Sequence, residues 1–492
     1  QSVCRAVSCT SSTQNYNEGQ AEEGRLRAYL IGICGTAMAA VASLLKESGA
    51  EVVGSDPFAY PPMGPLLDSL GIEVLPGWDE SNLSNRQLDV VVVGNVARRD
   101  NPEVVAAQSL GIPLLSMPQL IADQFIGDRT SLVVTGTHGK TTVTSMTAWL
   151  LQYAGLQPGF MVGGVPKNFG TGYALAKGDL FVIEGDEYDT AFFDKEAKFF
   201  HYKPTHAVMT SLEFDHADIY RDIDHLRDTF RRFAKLVPKN GSLSWCSEYD
   251  ILEEIAGDAC CPSVPYGVGA GPGLRAVDIQ ASGEGTSFRI IHGGESVNTL
   301  LPMWGKHNVQ NALAASALAL AAGVSLNIIA EGLCLFEGVK RRFDTVYNRN
   351  GIVVVDDFAH HPTAVRETLA AARLRFPTQR LFACFHFESN TSRRRVFLEE
   401  YSRALDNADG ILLTYPLVKE DSLKSGETMD PLEVLRGSRG GREHAGAYHT
   451  MQEMADALVP ILRPGDAVIA MSGRDFTPLY DELFPRLDSS RS

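Results

Sequence analysis

The sequence has no apolar run near the ~20 residues that would span a bilayer. The longest, Ala312 to Val324, is Ala-rich and carries Ser316, which predicts a buried helix in a soluble protein. An excess of positive charge is also missing: 44 Lys and Arg against 60 Asp and Glu leave a formal charge of −16. General nucleic-acid binding needs cations to neutralise phosphates, and anionic membrane surfaces attract polybasic segments. The balance argues against both as partners, while leaving room for a local basic pocket. The eight cysteines, Cys4, Cys9, Cys34, Cys246, Cys260, Cys261, Cys334 and Cys384, show no CxxC spacing. They read as reduced thiols of a cytoplasmic protein, not as a disulfide framework. Residues 1–25 are polar and Ser-rich without a hydrophobic h-region, which predicts a disordered tail and not a secretory signal. No repeat of fixed period is visible.

What is present is a hydrophobic content of 44%, enough for several cores. At ~150 residues per domain, 492 residues suggest about three domains. Ten short apolar runs alternate with helix-length segments: AYLIGIC, EVVGSD, DVVVVGN, SLVVTGT, LFVIEGD, HAVMTSL, GIVVVDD, LFACFHF, GILLTYP and DAVIAMS. Most are apolar throughout, as strands covered on both faces must be. The pattern predicts an α/β protein of repeated βα units with parallel sheets. The polar turns at Gly127-Asp128-Arg129 and Tyr347-Asn348-Arg349-Asn350-Gly351 place domains at 26–126, 127–346 and 347–492. Residues 240–300, with alternating strands and several Gly and Pro, read as an antiparallel insertion in the middle domain.

The strongest chemical signal is TGTHGKTT, Thr135 to Thr142, between the strand SLVV and a helical stretch. Backbone N–H groups of a Gly-rich loop at a helix N-terminus cradle phosphates. Lys140 would reach the β/γ-phosphates and the Thr141 hydroxyl would bind Mg²⁺. Val134 stands where the strict P-loop pattern wants Gly, so the shorter GTHGKT defines a narrower class. The strand LFVIEGDEYDTAFFD ends in Glu184, Asp186, Glu187, Asp189 and Asp194. Carboxylates at the C-terminal end of a parallel strand lie where α/β folds bind ligands, and Mg²⁺ takes one or two of them. Glu184, first off the strand, is the expected ligand; a solvated acidic loop is the bland alternative. SLEFDHADIY places Asp215-His216 at another strand end, where a structural His is an equal reading. WGKHNVQNALAA puts His307, Asn308 and Asn311 at a helix start, suited to a purine, with N-capping by Asn308 as the alternative. Arg341 and Arg342 in FEGVKRRFD suit phosphate, although surface Arg pairs are common. VVVDDFAHHPTA places Asp356, Asp357, His360 and His361 at a strand end before a Pro-initiated helix.

Together TGTHGKTT, EGDEYD, EFDHADIY, GKHNVQN, KRRFD and DDFAHHPT, in this order, resemble the Mur ligases, ATP-dependent amide ligases of peptidoglycan synthesis. The resemblance implies a Rossmann-like N-terminal nucleotide-sugar domain, a central P-loop ATPase domain and a Rossmann-like C-terminal domain that brings the amine. It implies Lys140, Glu184 and His216 as catalytic, with Thr141, Glu184 and His216 on Mg²⁺. ATP would meet Gly136, Thr137, His138, Gly139, Lys140, Thr141, Thr142, His307, Asn308, Asn311, Arg342 and Asp357. UDP-N-acetylmuramate would meet Gly32, Gly35, Thr36, Asp56 and Asn95. GICGTAMA, YPPM, GNVARRDNPE, GGVPKNFG, FFDK and SNTSRRR are similar to the branch that adds L-Ala-γ-D-Glu-meso-diaminopimelate and recycles cell-wall peptide. The L-alanine-adding branch is the alternative, and a nucleotide-driven switch a more distant one. Some members carry a carbamylated Lys about fifteen residues past the His; here DIDHLRDTFRRFAK has Arg231 and no Lys before Lys235, as in the muramate-accepting branch. The incoming short peptide would meet Glu388, Asn390 and Thr391. Two segments depart from the resemblance: Glu388 stands where Arg is expected, and MSGRDFTPLY replaces a Gly-rich stretch.

Overall fold

The computed structural model describes residues 25–214, 220–389, 391–416, 426–441 and 443–489. The expected tail up to residue 24, His216 and Asn390 lie outside them. Two compact units divide the chain, one holding residues up to 93 with 99–115, the other 94–98 with 116 onward.

The first unit is built on β1 (Arg27–Ile31), β2 (Glu51–Asp56), β3 (Glu73–Pro76), β4 (Val90–Val93) and β5 (Leu114–Ser116), in the order β3-β2-β1-β4-β5. β1 pairs in parallel with β2 and β4, and β2 with β3. β4 is four valines, all buried, as a strand covered on both faces requires. A buried carboxylate, Glu103, ties three elements together by accepting from Tyr29 Oη (2.8 Å), Ser55 Oγ (2.5 Å) and Asn82 Nδ2 (2.7 Å).

The second unit carries two sheets. The larger contains β6 (Thr130–Thr135), β7 (Gly159–Met161), β8 (Tyr173–Ala174), β9 (Leu180–Gly185), β10 (His206–Met209), β11 (Ser242–Cys246), β12 (Ser263–Val268), β13 (Leu274–Ser282), β14 (Gly285–His292) and β15 (Glu295–Leu301). Their order is β15-β14-β13-β12-β11-β10-β6-β9-β7-β8. The antiparallel expectation for 240–300 is met only from Leu274 onward, where β13, β14 and β15 form a meander. β11 and β12 instead continue the parallel sheet beside β10, because the helix Asp250–Ala256 gives them a crossover. The run Ala312 to Val324 belongs largely to the buried helix Lys306–Ala321.

The other sheet holds β16 (Asp344–Arg349), β17 (Ile352–Asp357), β18 (Leu381–Phe385), β19 (Gly410–Thr414), β20 (Ala445–Tyr448) and β21 (Ala467–Met471), in the order β16-β17-β21-β18-β19-β20. Only β16 is antiparallel to its neighbour. Each of the ten apolar runs read from sequence contains a strand. Among the described residues no helix is long and apolar enough to cross a membrane.

Candidate active site

In the larger sheet β10, β6 and β9 are neighbours, so the segments leaving their C-terminal ends meet. β6 runs through Gly136–Gly139 into the helix Lys140–Tyr153. Gly139 caps that helix at φ +82°, and Gly136 has φ +133°. A Cβ on Gly136 would strike Thr210 Oγ1 and the Ser211 backbone, so the loop closes only with glycine there. The helix N-terminus has no side-chain cap, which leaves its amides for an anion.

Lys140 Nζ donates to Gly136 O (2.7 Å) and Glu187 Oε2 (2.8 Å), and lies 3.9 Å from Asp186. Burial lowers its pKa, but Glu187 and Asp186 outweigh burial and hold it above the ordinary Lys value. The acidic segment after β9 is not a solvated loop. Asp186 pairs with Lys198 (2.9 Å), Asp189 with Lys195 (2.7 Å), and Asp194 with His201 (2.9 Å). Glu184 makes no ion pair among the described residues. Its Oε2 accepts from Thr141 Oγ1 (3.2 Å) and its Oε1 from Gly163 N (2.7 Å). Burial and the neighbouring Asp186 push its carboxyl up to about 7. A buried carboxylate beside a hydroxyl, with the charges of Lys140 and Arg342 favouring its ionised form against burial, is a hard-oxygen donor set that fits Mg²⁺.

The smaller sheet contributes from its own edge. Arg342 Nη2 donates to Thr141 Oγ1 (3.2 Å), and its guanidinium lies 4.7 Å from the Phe358 ring centroid. Burial lowers its pKa. Asp357, the last residue of β17, accepts from Phe343 N (2.7 Å), Ala359 N (2.8 Å) and Thr368 Oγ1 (3.2 Å). It thereby fixes the turn that presents Arg342.

His307 Nδ1 is buried without a hydrogen bond, 3.9 Å from Glu367 Oε2, and burial outweighs Glu367 and Asp357 to lower the pKa of the ring. An imidazole held toward its uncharged form suits contact with a heteroaromatic base. Asn308 does not cap the helix, which starts from Gly305; its Nδ2 donates to Trp304 O (2.8 Å) and its Oδ1 accepts from Asn311 Nδ2 (3.2 Å). Asn311 in turn abuts Gly139 of the phosphate loop.

A further cluster is centred on Glu213, which the sequence reading did not single out. Glu213 Oε2 lies 3.2 Å from His138 Nε2 and 3.8 Å from His361 Nδ1, and accepts from Thr363 Oγ1 (2.8 Å). It links the phosphate loop to the start of the helix Pro362–Arg375. The motifs EFDHAD and DDFAHHPT each flagged their strand end, but only the fold brings them together. Burial acts to raise the Glu213 pKa, yet hydrogen bonds from His138 and Thr363 and the charge of His361 bring it down to about 2. A depressed carboxyl stabilises the fold above its unfolded value of about 4.5 and loses that contribution as pH falls toward about 2. The Tm difference between wild type and Glu213→Gln is therefore expected to shrink over that window in acid thermal melts. A difference that stays constant from neutral pH to about 2.5 contradicts the linkage.

In the first unit, β1 leads through Gly32 (φ +78°) to Gly35, which caps the helix Thr36–Glu47 with no side-chain bond. Asp56, at the end of β2, accepts from Cys34 N (3.1 Å) and Phe58 N (3.1 Å), which shapes the same loop. Asn95, after β4, is exposed. Beyond β18, Glu388 and Thr391 are buried.

Residues 27–127 match the Mur ligase family catalytic domain, 134–319 the Mur ligase middle domain, and 341–474 the Mur ligase glutamate ligase domain. The chain belongs to the Mur ligase family. It is an ATP-dependent ligase of the kind that forms C–N bonds. This Mur ligase is 37% identical over 464 residues to the UDP-N-acetylmuramate–L-alanyl-γ-D-glutamyl-meso-2,6-diaminoheptandioate ligase of Escherichia coli, covering 94% of this chain and 98% of that one. It is 33% identical over 466 residues to a UDP-N-acetylmuramate–L-alanine ligase of Geobacter sp., covering 94% and 98%. Among solved structures, a murein peptide ligase from Psychrobacter arcticus superposes with a TM-score of 0.70 at 30% identity, covering 95% of this Mur ligase and 100% of that chain.

Proposed function

We propose that the chain joins the muramoyl carboxylate of UDP-N-acetylmuramate to the free amine of L-alanyl-γ-D-glutamyl-meso-diaminopimelate, with ATP as the phosphoryl donor. The observation that carries a ligase mechanism is the Arg342–Thr141 bond, which brings one sheet's cation onto the other sheet's phosphate loop.

Two anions must meet, the carboxylate and the γ-phosphate. Lys140, Arg342 and the loop amides offset that repulsion and hold the phosphoryl group for in-line transfer. The acyl phosphate formed is attacked by the peptide amine, and phosphate leaves with one former carboxylate oxygen. Glu213 and Thr363 hold the two sheets' edges together around this step, which favours exclusion of water. Thr141 and Glu184 would hold Mg²⁺, with His216 as a further ligand. Bound there, Mg²⁺ would neutralise phosphate charge. His307, Asn308 and Asn311 form the adenine side. Gly32, Gly35, Thr36, Asp56 and Asn95 are proposed for UDP-N-acetylmuramate, and 26–126, 127–346 and 347–492 as the domains. Reduced cysteines and the use of ATP support a cytoplasmic location.

The tripeptide is supported over L-alanine by the higher identity to the Escherichia coli tripeptide ligase, 37% against 33% for the Geobacter alanine ligase. Phosphate release with ATP and UDP-N-acetylmuramate, comparing tripeptide and L-Ala as amines, decides between them. The tripeptide is expected to give the higher kcat/KM; a higher value for L-Ala overturns the reading.

A further inference from the structure

The strands β18 and β21 are parallel neighbours that end level, Phe385 opposite Met471. The segments leaving them therefore emerge side by side on the edge that carries Asp357 and the phosphate site. Each holds one charged residue three positions past its strand end: Glu388 and Arg474. Glu388 is 3% exposed, and its Oε2 pairs with Arg474 Nε at 2.9 Å, while His386 Nε2 lies 3.7 Å from Oε1. The Arg474 side chain is 63% exposed. These are the two segments that depart from the family resemblance, and they contact each other.

The backbone of Arg474 is fixed from the phosphate side. Arg341 Nη2 donates to Ser472 O (3.0 Å) and to Arg474 O. Arg341 precedes Arg342, which reaches Thr141 of the phosphate loop. A guanidinium has five N–H donors in a planar fork. Nε lies 2.9 Å from a buried carboxylate oxygen, and among the described contacts the outer Nη groups remain for an anion of matching planar geometry. A carboxylate accepts such a fork with two parallel hydrogen bonds.

We propose that Arg474 is the cation that receives the terminal carboxylate of the incoming peptide, and that the buried Glu388 is a positioning residue that orients its guanidinium. The proposal rests on the tripeptide reading above. Glu388 then does not repel the peptide. Its carboxylate is paired with Arg474, which places a cation on the β21 side of this edge. The loop 472–474 and the turn carrying Arg342 are tied together by Arg341, so anchoring the peptide there sets its amine relative to the phosphate site.

The test is steady-state kinetics of the full chain with ATP and UDP-N-acetylmuramate saturating, using the tripeptide and its C-terminal carboxamide. Wild type is expected to prefer the acid over the amide by about 10-fold or more in kcat/KM, since charge-assisted pairs are the stronger hydrogen bonds. Arg474→Ala is expected to lose about 10-fold or more on the acid, mostly in KM, and little on the amide, with KM for ATP unchanged. Arg474→Lys is expected to recover part of the preference. Glu388→Gln is expected to raise KM for the acid by a smaller factor without changing KM for ATP. An acid-to-amide ratio unmoved by Arg474→Ala overturns the proposal. A wild type that refuses the tripeptide overturns the substrate reading instead, and the ratio of L-alanine to L-alaninamide then decides Arg474 separately.

Discussion

Replacing Lys140 with Ala is expected to lower kcat by on the order of 10²-fold or more, the usual cost of removing a donor aimed at developing charge. The ammonium sits at the start of a helix that no side chain caps, where a phosphate is expected to bind. The substitution has a second consequence. Lys140 is paired with Glu187, whose side chain is 3% exposed, and removing the cation takes away that buried ion pair. Tm is expected to fall along with kcat, because deleting one partner of a buried ion pair is destabilising. Turnover measured below the variant's Tm separates the two effects. Near-normal turnover in folded Lys140→Ala contradicts the phosphate-loop assignment.

Glu184→Gln is expected to lower activity by about 10²-fold at a fixed Mg²⁺ concentration and to raise the Mg²⁺ needed for half-maximal activity. The reason lies in the charge balance around β9. The other acids in the segment have basic partners, whereas Glu184 faces only a hydroxyl and an amide among its hydrogen-bond partners. Gln keeps the size and one acceptor, so it preserves the contact with Thr141 while removing the charge. A Mg²⁺ titration unchanged from wild type shows that the carboxylate does not bind the ion.

Much of this site was legible in the chain because its parts are local. A Gly-rich loop between a strand and a helix, or acids at a strand end, are set by a dozen consecutive residues. The same locality explains why SLVVTGT and LFVIEGD were readable as strands that end in functional residues. The pairings were not legible. Arg342 with Thr141, Glu213 with Thr363 and Glu388 with Arg474 join residues far apart in sequence, and no periodicity encodes them. Glu388 read alone suggested an electrostatic conflict with an anionic peptide, with Arg393, Arg394 or Arg395 as nearby partners. The structure adds Arg474, which no sequence reading named, brought close by the parallel pairing of β18 and β21. The alternative of Asn308 as a helix cap falls away because Gly305 starts the helix. The segment 240–300 misled because Gly and Pro spacing marks turns but not strand direction.

In the proposed ligation the γ-phosphate is transferred to a carboxylate before the amide forms. Following oxygen tests that order. UDP-N-acetylmuramate labelled with ¹⁸O in its muramoyl carboxylate is incubated with ATP, the tripeptide and the enzyme, and the inorganic phosphate is weighed by mass spectrometry. The account predicts that each phosphate released with amide carries one oxygen from the carboxylate, because the C–O bond breaks when the amine attacks. Phosphate released without label, at a rate indifferent to the carboxylate substrate, would contradict it and point to simple nucleotide hydrolysis.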